Sequence, residues 1–372
     1  MKILLVITKA EVGGAQMSVL NLARELKARG HEITVGFGDG DFLPAELDKE
    51  QIAHVRFRNL KRTHNPLANL FFTAEIKKFL VGRNFSTVHF NSSNALFGAI
   101  GVKLAGRKIK TVFTFRGMSV LDEHYKKNGF LKIIYYWLFK FLLLFIDRPV
   151  FVSRENLEKF GQGRLTKRGV LVYNGLDPEK LEFLSKAEAR IDLARKIKTS
   201  LNGKYIIGSI GRKEYAKNYE FLINVFPEIL KIKPEAVAII IGGGPEEKNL
   251  QALIKIKRLE DKFFLLGSIP YASRFIKGFD LFVLPSRYEG LSLTLLEALF
   301  AGARILTTRV GGSPEAVGCE EELYELDNQA DFLAKFKQLQ DFAVQIDIDV
   351  NNQKQANNFL LEKTADGYEK IY

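Results

Sequence analysis

The chain contains a single cysteine, Cys319, among its 372 residues. An intramolecular disulfide is therefore excluded, and this cysteine content fits a reducing compartment. The first apolar run, Ile3 to Ile7, is followed directly by polar Thr8 and Lys9. A run this short is expected to be a first strand rather than the core of a signal peptide. These features predict a cytoplasmic protein.

Several motifs are also missing. The first glycine-containing loop has no Gly-x-Gly-x-x-Gly pattern, which argues against a dinucleotide-dependent dehydrogenase. The histidines show no metal-ligand spacing, so no metal site is predicted; they are His31, His54, His64, His89 and His124. The stretch Thr63–Arg83 interleaves basic and aromatic residues, as in some nucleic-acid-binding proteins. No recognised nucleic-acid motif accompanies it, and no nucleic-acid partner is predicted.

Acidic residues are scarce in one part of the chain. Residues 51–150 carry 17 Lys and Arg but only 4 Asp and Glu. Residues 1–200 carry 34 basic and 19 acidic residues, whereas residues 201–372 carry 21 and 24. The first half is thus basic and the second is close to neutral. A basic half indicates a polyanionic partner, which would be nucleic acid, an anionic membrane surface or a phosphorylated acceptor.

The most hydrophobic segment is residues 129–146, and Lys132 and Lys140 interrupt it. Eighteen residues is at the short limit for a membrane span, so a transmembrane helix is the least favoured interpretation. A buried core helix is one alternative, because doubly wound domains cover their sheets with such helices. The other is an aromatic face that dips into a bilayer surface, with the lysines at the level of the headgroups.

Short β-branched runs alternate with helical patterns along the chain, which predicts an α/β fold with parallel sheets. Strands are expected at Lys2–Ile7, Ile33–Phe37, Thr87–Phe90, Thr111–Phe115, Pro149–Val152 and Val170–Tyr173, and then at Tyr205–Ile210, Val237–Ile241, Phe263–Leu266, Leu281–Leu284 and Arg304–Thr307. A helix is expected at Ala95–Ala105. Two doubly wound, Rossmann-like domains with a cleft between them are predicted, at 1–175 and 176–355. A C-terminal helix in 356–372 is expected to pack back toward the first domain.

One stretch, Leu284–Glu297, combines several signals. Pro285 ends a strand, Ser292 is a candidate N-cap, and leucines follow at helical spacing. Glu289 would lie in the loop and Glu297 on the second helical turn. A helix N-terminus favours an anion, whereas carboxylates suit neutral hydroxyls. Phosphate and hydroxyl groups side by side are features of a nucleotide-sugar. An ordinary strand-turn-helix with a glutamate favoured by the helix dipole is the alternative.

Taken together, the motifs of this chain resemble those of the retaining GT-B glycosyltransferases, specifically glycosyltransferase family 4 (glycosyl transferases group 1). The resemblance covers nearly the whole length. The residues that carry it are Gly13-Gly14-Ala15-Gln16, Val152-Ser153, Asn174-Gly175-Leu176-Asp177, Gly211-Arg212, Lys217-Asn218, Gly242-Gly243-Gly244-Pro245, Leu266-Gly267, Pro285-Ser286, Glu289 with Glu297, and Gly311-Gly312-Ser313-Pro314-Glu315.

This resemblance implies a role for each matching residue. Arg212, Lys217 and Glu289 would be catalytic: the two cations would clamp the donor diphosphate and stabilise charge on the leaving group, and Glu289 would hold the transferred sugar. Glu297 would accept hydrogen bonds from the ribose. The remaining donor-binding positions would be Gly14, Gly211, Gly243, Gly267, Gly290, Leu291 and Ser292. Gly13 and Arg116 would contact the acceptor or the sugar.

Four positions depart from the family pattern. Arg116 stands where many relatives carry a histidine that contacts the transferred sugar, and an arginine cannot act as a base at neutral pH. Asn218 replaces a common glycine after Lys217, Gln16 replaces a frequent glutamate, and Arg304 follows Gly302-Ala303 without the usual proline.

The implied function is transfer of a hexose or N-acetylhexosamine, with retention, from a nucleotide-diphospho-sugar to a glycan or glycolipid hydroxyl. UDP is the favoured donor nucleotide, with GDP or ADP as alternatives, and no metal or other cofactor is expected. The basic half suggests an acceptor at an anionic membrane surface, as in bacterial polysaccharide or lipopolysaccharide assembly, with the protein peripheral to the inner face of the cell membrane. The rival interpretations are a sugar-nucleotide epimerase and a non-catalytic protein that binds anionic lipid or nucleic acid.

Overall fold

The computed structural model describes residues 1–63, 65–106, 108–117, 129–160, 168–341 and 351–372. The chain divides into two compact units. Unit 1 comprises Met1–Gly175 together with Leu361–Tyr372, and unit 2 comprises Leu176–Leu360. The second unit therefore extends five residues beyond the sequence-based boundary at 355.

Unit 1 contains a seven-stranded sheet in the order β3-β2-β1-β4-β5-β6-β7, and all its pairings are parallel. Its strands are β1 (Lys2–Lys9), β2 (Glu32–Asp39), β3 (Ala53–Arg56), β4 (Thr87–Phe90), β5 (Lys110–Phe115), β6 (Arg148–Phe151) and β7 (Val170–Leu171). Its helices before the crossing into unit 2 are α1 (Gly14–Ala28), α2 (Phe42–Lys49), α3 (Pro66–Leu80), α4 (Gly98–Lys103), α5 (Gly129–Leu143) and α6 (Arg154–Phe160).

Unit 2 contains a six-stranded parallel sheet in the order β10-β9-β8-β11-β12-β13. The strands are β8 (Tyr205–Ile210), β9 (Ala236–Ile241), β10 (Phe263–Leu266), β11 (Leu281–Leu284), β12 (Ile305–Thr308) and β13 (Leu323–Tyr324). The helices are α7 (Lys186–Ile197), α8 (Tyr219–Ile232), α9 (Glu247–Ile256), α10 (Leu293–Phe300), α11 (Ser313–Ala316) and α12 (Gln329–Gln338). Two parallel-sheet α/β domains confirm the predicted fold class.

The central strands are buried on both faces, which explains their continuous apolar sequences. All six residues of β9 and all four of β11 are buried. The strands that the sequence did not predict, β3 and β13, are short edge strands. Three of the four residues of β3 are exposed, so its sequence lacks an apolar run. Strand β13 has only two residues.

The last helix, α13 (Leu361–Glu369), packs in unit 1. Arg29 on α1 donates hydrogen bonds to Asp366 at 2.6 Å and to Glu369 at 2.7 Å. The hydroxyl of Thr364 donates to the carbonyl of Tyr173 at 2.9 Å. An ion-pair network and a buried helix face therefore attach this helix to the first unit.

Helix α5 packs on the core of unit 1 with some of its side chains and exposes other apolar side chains. Leu142 and Leu143 are buried against the core of unit 1. On the opposite side, Trp137 is 64% exposed and Phe141 is 50% exposed. Within the described ranges, no helix is long and apolar enough to cross a membrane. The core interpretation thus holds for only one side of the helix.

Two glycines bring backbone segments of unit 2 into direct contact. A Cβ at Gly242 would lie 2.1 Å from the carbonyl oxygen of Gly211, and Gly242 has a φ of +147°. A Cβ at Gly244 would lie 2.2 Å from the carbonyl oxygen of Lys213. Because backbone atoms cannot move aside as a flexible side chain can, only glycine fits at these positions.

Replacement of Gly242 by alanine is expected to destabilise unit 2 by at least about 2 kcal/mol, because the new Cβ would collide with a backbone carbonyl in a backbone conformation that side chains rarely adopt. Thermal unfolding followed by calorimetry measures the change. Gly267→Ala is the matched control, since its Cβ would meet no atom within 4 Å. An unchanged midpoint for Gly242→Ala would contradict this packing argument.

Candidate functional site

The predicted donor-site residues of unit 2 follow the carboxyl ends of neighbouring parallel strands. Gly211 and Arg212 follow β8, Gly243 follows β9, and Gly267 follows β10. The loop from Pro285 to Ser292 follows β11. Because parallel strands end at the same edge of their sheet, these loops share one edge, where open α/β sheets bind ligands.

Lys217 and Glu289 form an ion pair at this edge. The Nζ atom of Lys217 donates to Oε1 of Glu289 at 2.5 Å, and the Ser286 hydroxyl donates to the same oxygen at 2.6 Å. The side chains are only 16% and 13% exposed. The structure thus brings two of the predicted catalytic residues into direct contact, although they lie 72 positions apart in the sequence.

The third predicted catalytic residue, Arg212, is less engaged. Its Nε atom lies 3.6 Å from Oε2 of Glu214, and its side chain is 39% exposed. A pair at this distance is an ion pair but not a good hydrogen bond. The guanidinium of Arg212 therefore keeps donors that an anion could use.

Arg287 fixes the loop that carries Lys217, and sequence reasoning missed it. Its Nη1 atom donates to the carbonyl of Tyr215 at 2.8 Å, and its backbone amide donates to the carbonyl of Ala216 at 2.8 Å. The guanidinium also lies 4.2 Å from the centre of the Tyr215 ring. The loops after β8 and β11 are therefore held together. No sequence pattern indicated this role.

Asn218 explains one of the departures from the family pattern. It has a left-handed backbone with φ +53° and lies directly before α8. Glycine adopts this conformation most easily, and asparagine is one of the few other residues that does so at low cost. Its Nδ2 atom also donates to Oδ1 of Asp327 at 2.8 Å. The substitution therefore preserves the turn after Lys217.

The N-terminus of α10 lies beside Glu289. Ser292 occupies the predicted N-cap position, but its side chain makes no capping hydrogen bond. Its hydroxyl instead lies 3.0 Å from that of Thr294. Behind it, the amide of Gly312 donates to the carbonyl of Gly290 at 2.5 Å, which supports the loop. The first turn has no side-chain cap and no acidic residue, an arrangement that suits a phosphate.

Glu297 is an unusual carboxyl group in this region. Burial raises its pKa to about 7, and a hydrogen bond from Ser273 partly offsets that effect. Near neutral pH, Glu297 therefore exchanges between an acid and a carboxylate. Its position one turn inside α10 agrees with the helical placement expected from the sequence.

Lys213 is a fully buried lysine that sequence reasoning overlooked. Its Nζ atom donates to Glu247 at 2.8 Å and to the carbonyl of Leu266 at 2.6 Å. Burial lowers the pKa of this ammonium, and the carboxylate of Glu247 opposes that effect. Lys213 fixes the end of β10 beside Gly267, one of the donor-binding positions that the family resemblance implies. In the structure, Lys213 positions the backbone at the end of β10.

The predicted residues of unit 1 lie at the carboxyl edge of its sheet. Gly13 directly precedes α1 and has an extended backbone, and a Cβ at Gly14 would meet no atom within 4 Å. Packing thus does not require a glycine at Gly14. Arg116 follows β5 and is held by three hydrogen bonds, to Ser18, Asn91 and Asn174. Across the described parts of both units, no cluster of three or more His, Cys, Asp or Glu could hold a metal ion.

Residues 12–180 match the family described as Glycosyltransferase Family 4, and residues 191–360 match the family described as Glycosyl transferases group 1. Together the two family models cover most of the chain, which identifies it as a glycosyltransferase. The predicted activity class is therefore confirmed, and both units contribute to the match.

Two similar proteins are named as glycosyltransferases. A Campylobacter jejuni enzyme named N-acetylgalactosamine-N,N'-diacetylbacillosaminyl-diphospho-undecaprenol 4-alpha-N-acetylgalactosaminyltransferase is 27% identical, over 85% of this chain and 84% of its own length. An O-antigen biosynthesis glycosyltransferase of Escherichia coli, WclY, is 23% identical, over 83% of this chain and 80% of its own length.

Solved structures show the same fold. HepE of Anabaena, crystallised with UDP and glucose, gives a TM-score of 0.83 at 20% identity, over 100% of this chain and 99% of that one. Sucrose-phosphate synthase of Thermosynechococcus elongatus gives 0.81 at 18% identity, with coverage of 100% and 98%. The GT-B fold predicted from the sequence is therefore confirmed.

The raised pKa of Glu297 generates a prediction for donor binding. If the carboxylate accepts from ribose hydroxyls, UDP-glucose should bind up to about tenfold more tightly at pH 8 than at pH 6, because the ionised form becomes dominant above pH 7. UDP-glucose is chosen because its esterified diphosphate does not titrate in this range. Isothermal calorimetry measures the dissociation constants.

The same raised pKa has the opposite effect on folding, since the folded state disfavours the carboxylate. The contribution of Glu297 to stability should therefore fall as pH rises from about 4.5 to about 7. In the binding experiment, Glu297→Gln should remove the pH dependence, whereas Glu228→Gln, at a 39% exposed carboxylate of α8, should leave it. A wild-type dissociation constant that is equal at both pH values would contradict the assigned role.

Proposed function

We propose that the protein is a retaining glycosyltransferase that transfers a hexosyl or N-acetylhexosaminyl group from a UDP-sugar to a hydroxyl of a glycan or glycolipid. The observation that carries this proposal is the ion pair of Lys217 and Glu289 beside the uncapped N-terminus of α10. Such a site combines cations and free amides for phosphate with a carboxylate for sugar hydroxyls.

Donor binding would rearrange this ion pair. The diphosphate would become the partner of Lys217 and Arg212, and Glu289 would then accept hydrogen bonds from the transferred sugar. Charge that develops on the leaving diphosphate would be stabilised by these two cations and by the backbone amides at the start of α10, of which the amides need no rearrangement. The Lys217 ammonium suits this exchange, because it is a mobile point charge on a flexible stem.

UDP is the proposed nucleotide because structures with this fold, such as HepE, contain UDP, UDP with glucose or UDP-glucose. Surface-glycan assembly is the proposed process because WclY and the Campylobacter enzyme act in O-antigen and lipid-linked glycan synthesis, as their names state. The proposed site of action is the cytoplasmic side of the cell membrane.

The proposed chemistry is a front-side displacement in which the departing phosphate helps to deprotonate the acceptor hydroxyl. This route needs no protein nucleophile and retains the anomeric configuration. The positive charges of Arg212 and Lys217 would replace a divalent ion, so the enzyme is proposed to be independent of metals and other cofactors.

Lys217→Ala and Arg212→Ala should each lower turnover of a UDP-sugar by at least about a hundredfold, since each removes a charge that stabilises the transition state. Release of UDP with a suitable acceptor mixture is the measurement, and EDTA should leave the wild-type rate unchanged. Lys231→Ala is the control, because Lys231 is an exposed lysine paired within α8. Unchanged turnover in both variants, or loss of turnover in EDTA, would contradict the proposal.

Unit 1 carries a surface that suits an anionic bilayer. Helices α3 and α5 both pack against the turn Asn94–Phe97, and each presents exposed apolar side chains, which include Leu67, Leu70, Phe71, Ile133, Trp137 and Phe141. The ammonium of Lys140 lies 4.6 Å from the centre of the Tyr136 ring. Aromatic side chains beside lysines are typical of proteins that lie in a membrane interface.

Flotation with vesicles tests this surface. The wild-type protein should bind vesicles of phosphatidylglycerol and phosphatidylcholine, bind pure phosphatidylcholine weakly, and dissociate as salt is raised. The double variant Trp137→Ser with Phe141→Ser should lose most of this binding. Ile256→Ser is the control, because Ile256 is a 75% exposed apolar residue of unit 2. Equal binding to neutral and anionic vesicles would contradict the membrane assignment.

A further inference from the structure

Arg116 occupies an unusual environment at the carboxyl edge of the sheet in unit 1. Its Nη1 atom donates to the hydroxyl of Ser18 and, at 2.6 Å, to Oδ1 of Asn174. Its Nη2 atom donates to Oδ1 of Asn91 at 2.8 Å. All three acceptors are neutral. The side chain follows β5, and the acceptors come from α1 and from the loops after β4 and β7, so four segments converge on one guanidinium.

The positive charge of Arg116 has no counter-charge among the residues that the structure describes. No Asp or Glu of those ranges forms an ion pair with it, and its buried Nε atom has no hydrogen-bond partner. Two other arginines of unit 1 show the usual solution. Arg24 lies 2.9 Å from Glu50, and Arg29 donates to Glu25 at 2.8 Å. Burial of an arginine without an anion is costly, so natural proteins normally provide a partner.

The neighbouring titratable groups do not supply that partner. Burial and the charge of Arg116 hold the pKa of His89 well below its usual range, so the imidazole is neutral. Its ring nitrogens lie 2.6 Å from the hydroxyl of Tyr372 and 2.7 Å from that of Thr114. Burial raises the pKa values of Tyr368 and Tyr372, so both phenols keep their protons. The whole cluster therefore carries one positive charge.

Arg168 shows that a partly buried arginine can lack a carboxylate partner and still have its positive charge balanced. It also donates to neutral groups, the carbonyls of Ile146 and, at 3.5 Å, Leu143. Leu143 is the last residue of α5, and carbonyls at a helix C-terminus carry partial negative charge that favours a cation. Arg116 contacts no such helix end among the described residues. The guanidinium of Arg116 is therefore the better candidate for a positive charge that a bound anion would balance.

We propose that Arg116, positioned by Asn91 and Asn174, forms a binding site in unit 1 for an oxyanionic group of a substrate, either a carboxylate or a phosphate. The planar donor fork of arginine matches both groups. Calling the ligand a substrate rests on the proposed glycosyltransferase function; the anion site itself rests only on the geometry of unit 1. The transfer reaction would then involve an acidic donor sugar or a phosphorylated acceptor.

The test measures anion binding in the full-length double variant Arg212→Ala with Lys217→Ala, so that the donor site contributes nothing. The probes are inorganic phosphate and glucuronate, each compared with sodium chloride at equal ionic strength, and glucose is the neutral counterpart of glucuronate. Thermal shift reports binding, because a ligand of the native state raises the unfolding temperature. We expect a saturable rise with at least one of the two anions.

Replacement of the charge should abolish this response. Arg116→Gln is expected to weaken the apparent affinity at least about tenfold, which corresponds to the loss of one charge-assisted contact. Arg168→Gln is the matched control, because it removes another partly buried arginine of unit 1 without touching the cluster. A phosphate response alone would indicate a phosphorylated acceptor, and a glucuronate response alone would indicate an acidic sugar.

A second variant keeps the proposal testable if Arg116→Gln does not fold. Asn91→Asp would place a carboxylate 2.8 Å from the guanidinium and so supply the counter-charge internally. We expect this variant to unfold at a higher temperature than the parent protein and to lose its anion response. A lower unfolding temperature together with an unchanged anion response would overturn the proposal, as would the absence of any response in the parent.

Donor binding is followed in the same experiment with UDP-glucose on the protein that retains Arg212 and Lys217. A failure there, combined with an intact anion response, would reject the proposed glycosyltransferase site and leave the Arg116 site standing. The reverse result would reject only the Arg116 site and leave that residue a structural tie between four segments.

Discussion

Close backbone contact between successive loops is the constraint on which the candidate site of unit 2 depends. A Cβ at Gly242 would lie 2.1 Å from the carbonyl oxygen of Gly211, and one at Gly311 would lie 2.2 Å from that of Glu289. These positions require glycine, because a side chain at either of them would push the loops at the strand ends apart. This packing allows Lys217 and Glu289, which come from different βα units, to meet at 2.5 Å.

The same site illustrates a balance between stability and binding. Lys217 and Glu289 satisfy each other, so neither is left as a buried unpaired charge, which would be costly. Burial raises the pKa of the Glu297 carboxyl to about 7, and a hydrogen bond from Ser273 offsets this effect only in part. In unit 1, the incompletely satisfied group is a cation, the guanidinium of Arg116. Groups that are incompletely satisfied in the isolated chain are the ones that a ligand can stabilise most.

The sequence predicted the architecture well, because buried parallel strands have short, continuous apolar runs between glycine-containing turns. Strands β4, β8, β10 and β11 begin and end at the predicted residues. It failed where burial does not shape the sequence: β3 is largely exposed and β13 has two residues. The predicted helix Ala95–Ala105 is a 3-10 turn followed by the short α4. Local pattern does not distinguish these two helix types within one apolar segment.

The candidate site was predicted through family motifs rather than through physical pattern, and this limits what the sequence could reveal. Lys213 and Arg287 belong to no motif, and their roles depend on carbonyl groups 53 and 72 positions away in sequence. For Arg116, in contrast, the sequence showed a departure from the family pattern but did not show which residues surround the side chain. Only the fold shows that Ser18, Asn91 and Asn174 converge on it. If Arg116 has the role proposed above, a permanent cation in place of a titratable imidazole would change which ligands this sheet edge binds, whereas the loops around it would keep their conformation. Specificity would then differ from that of the relatives while the fold and the donor motifs stay the same.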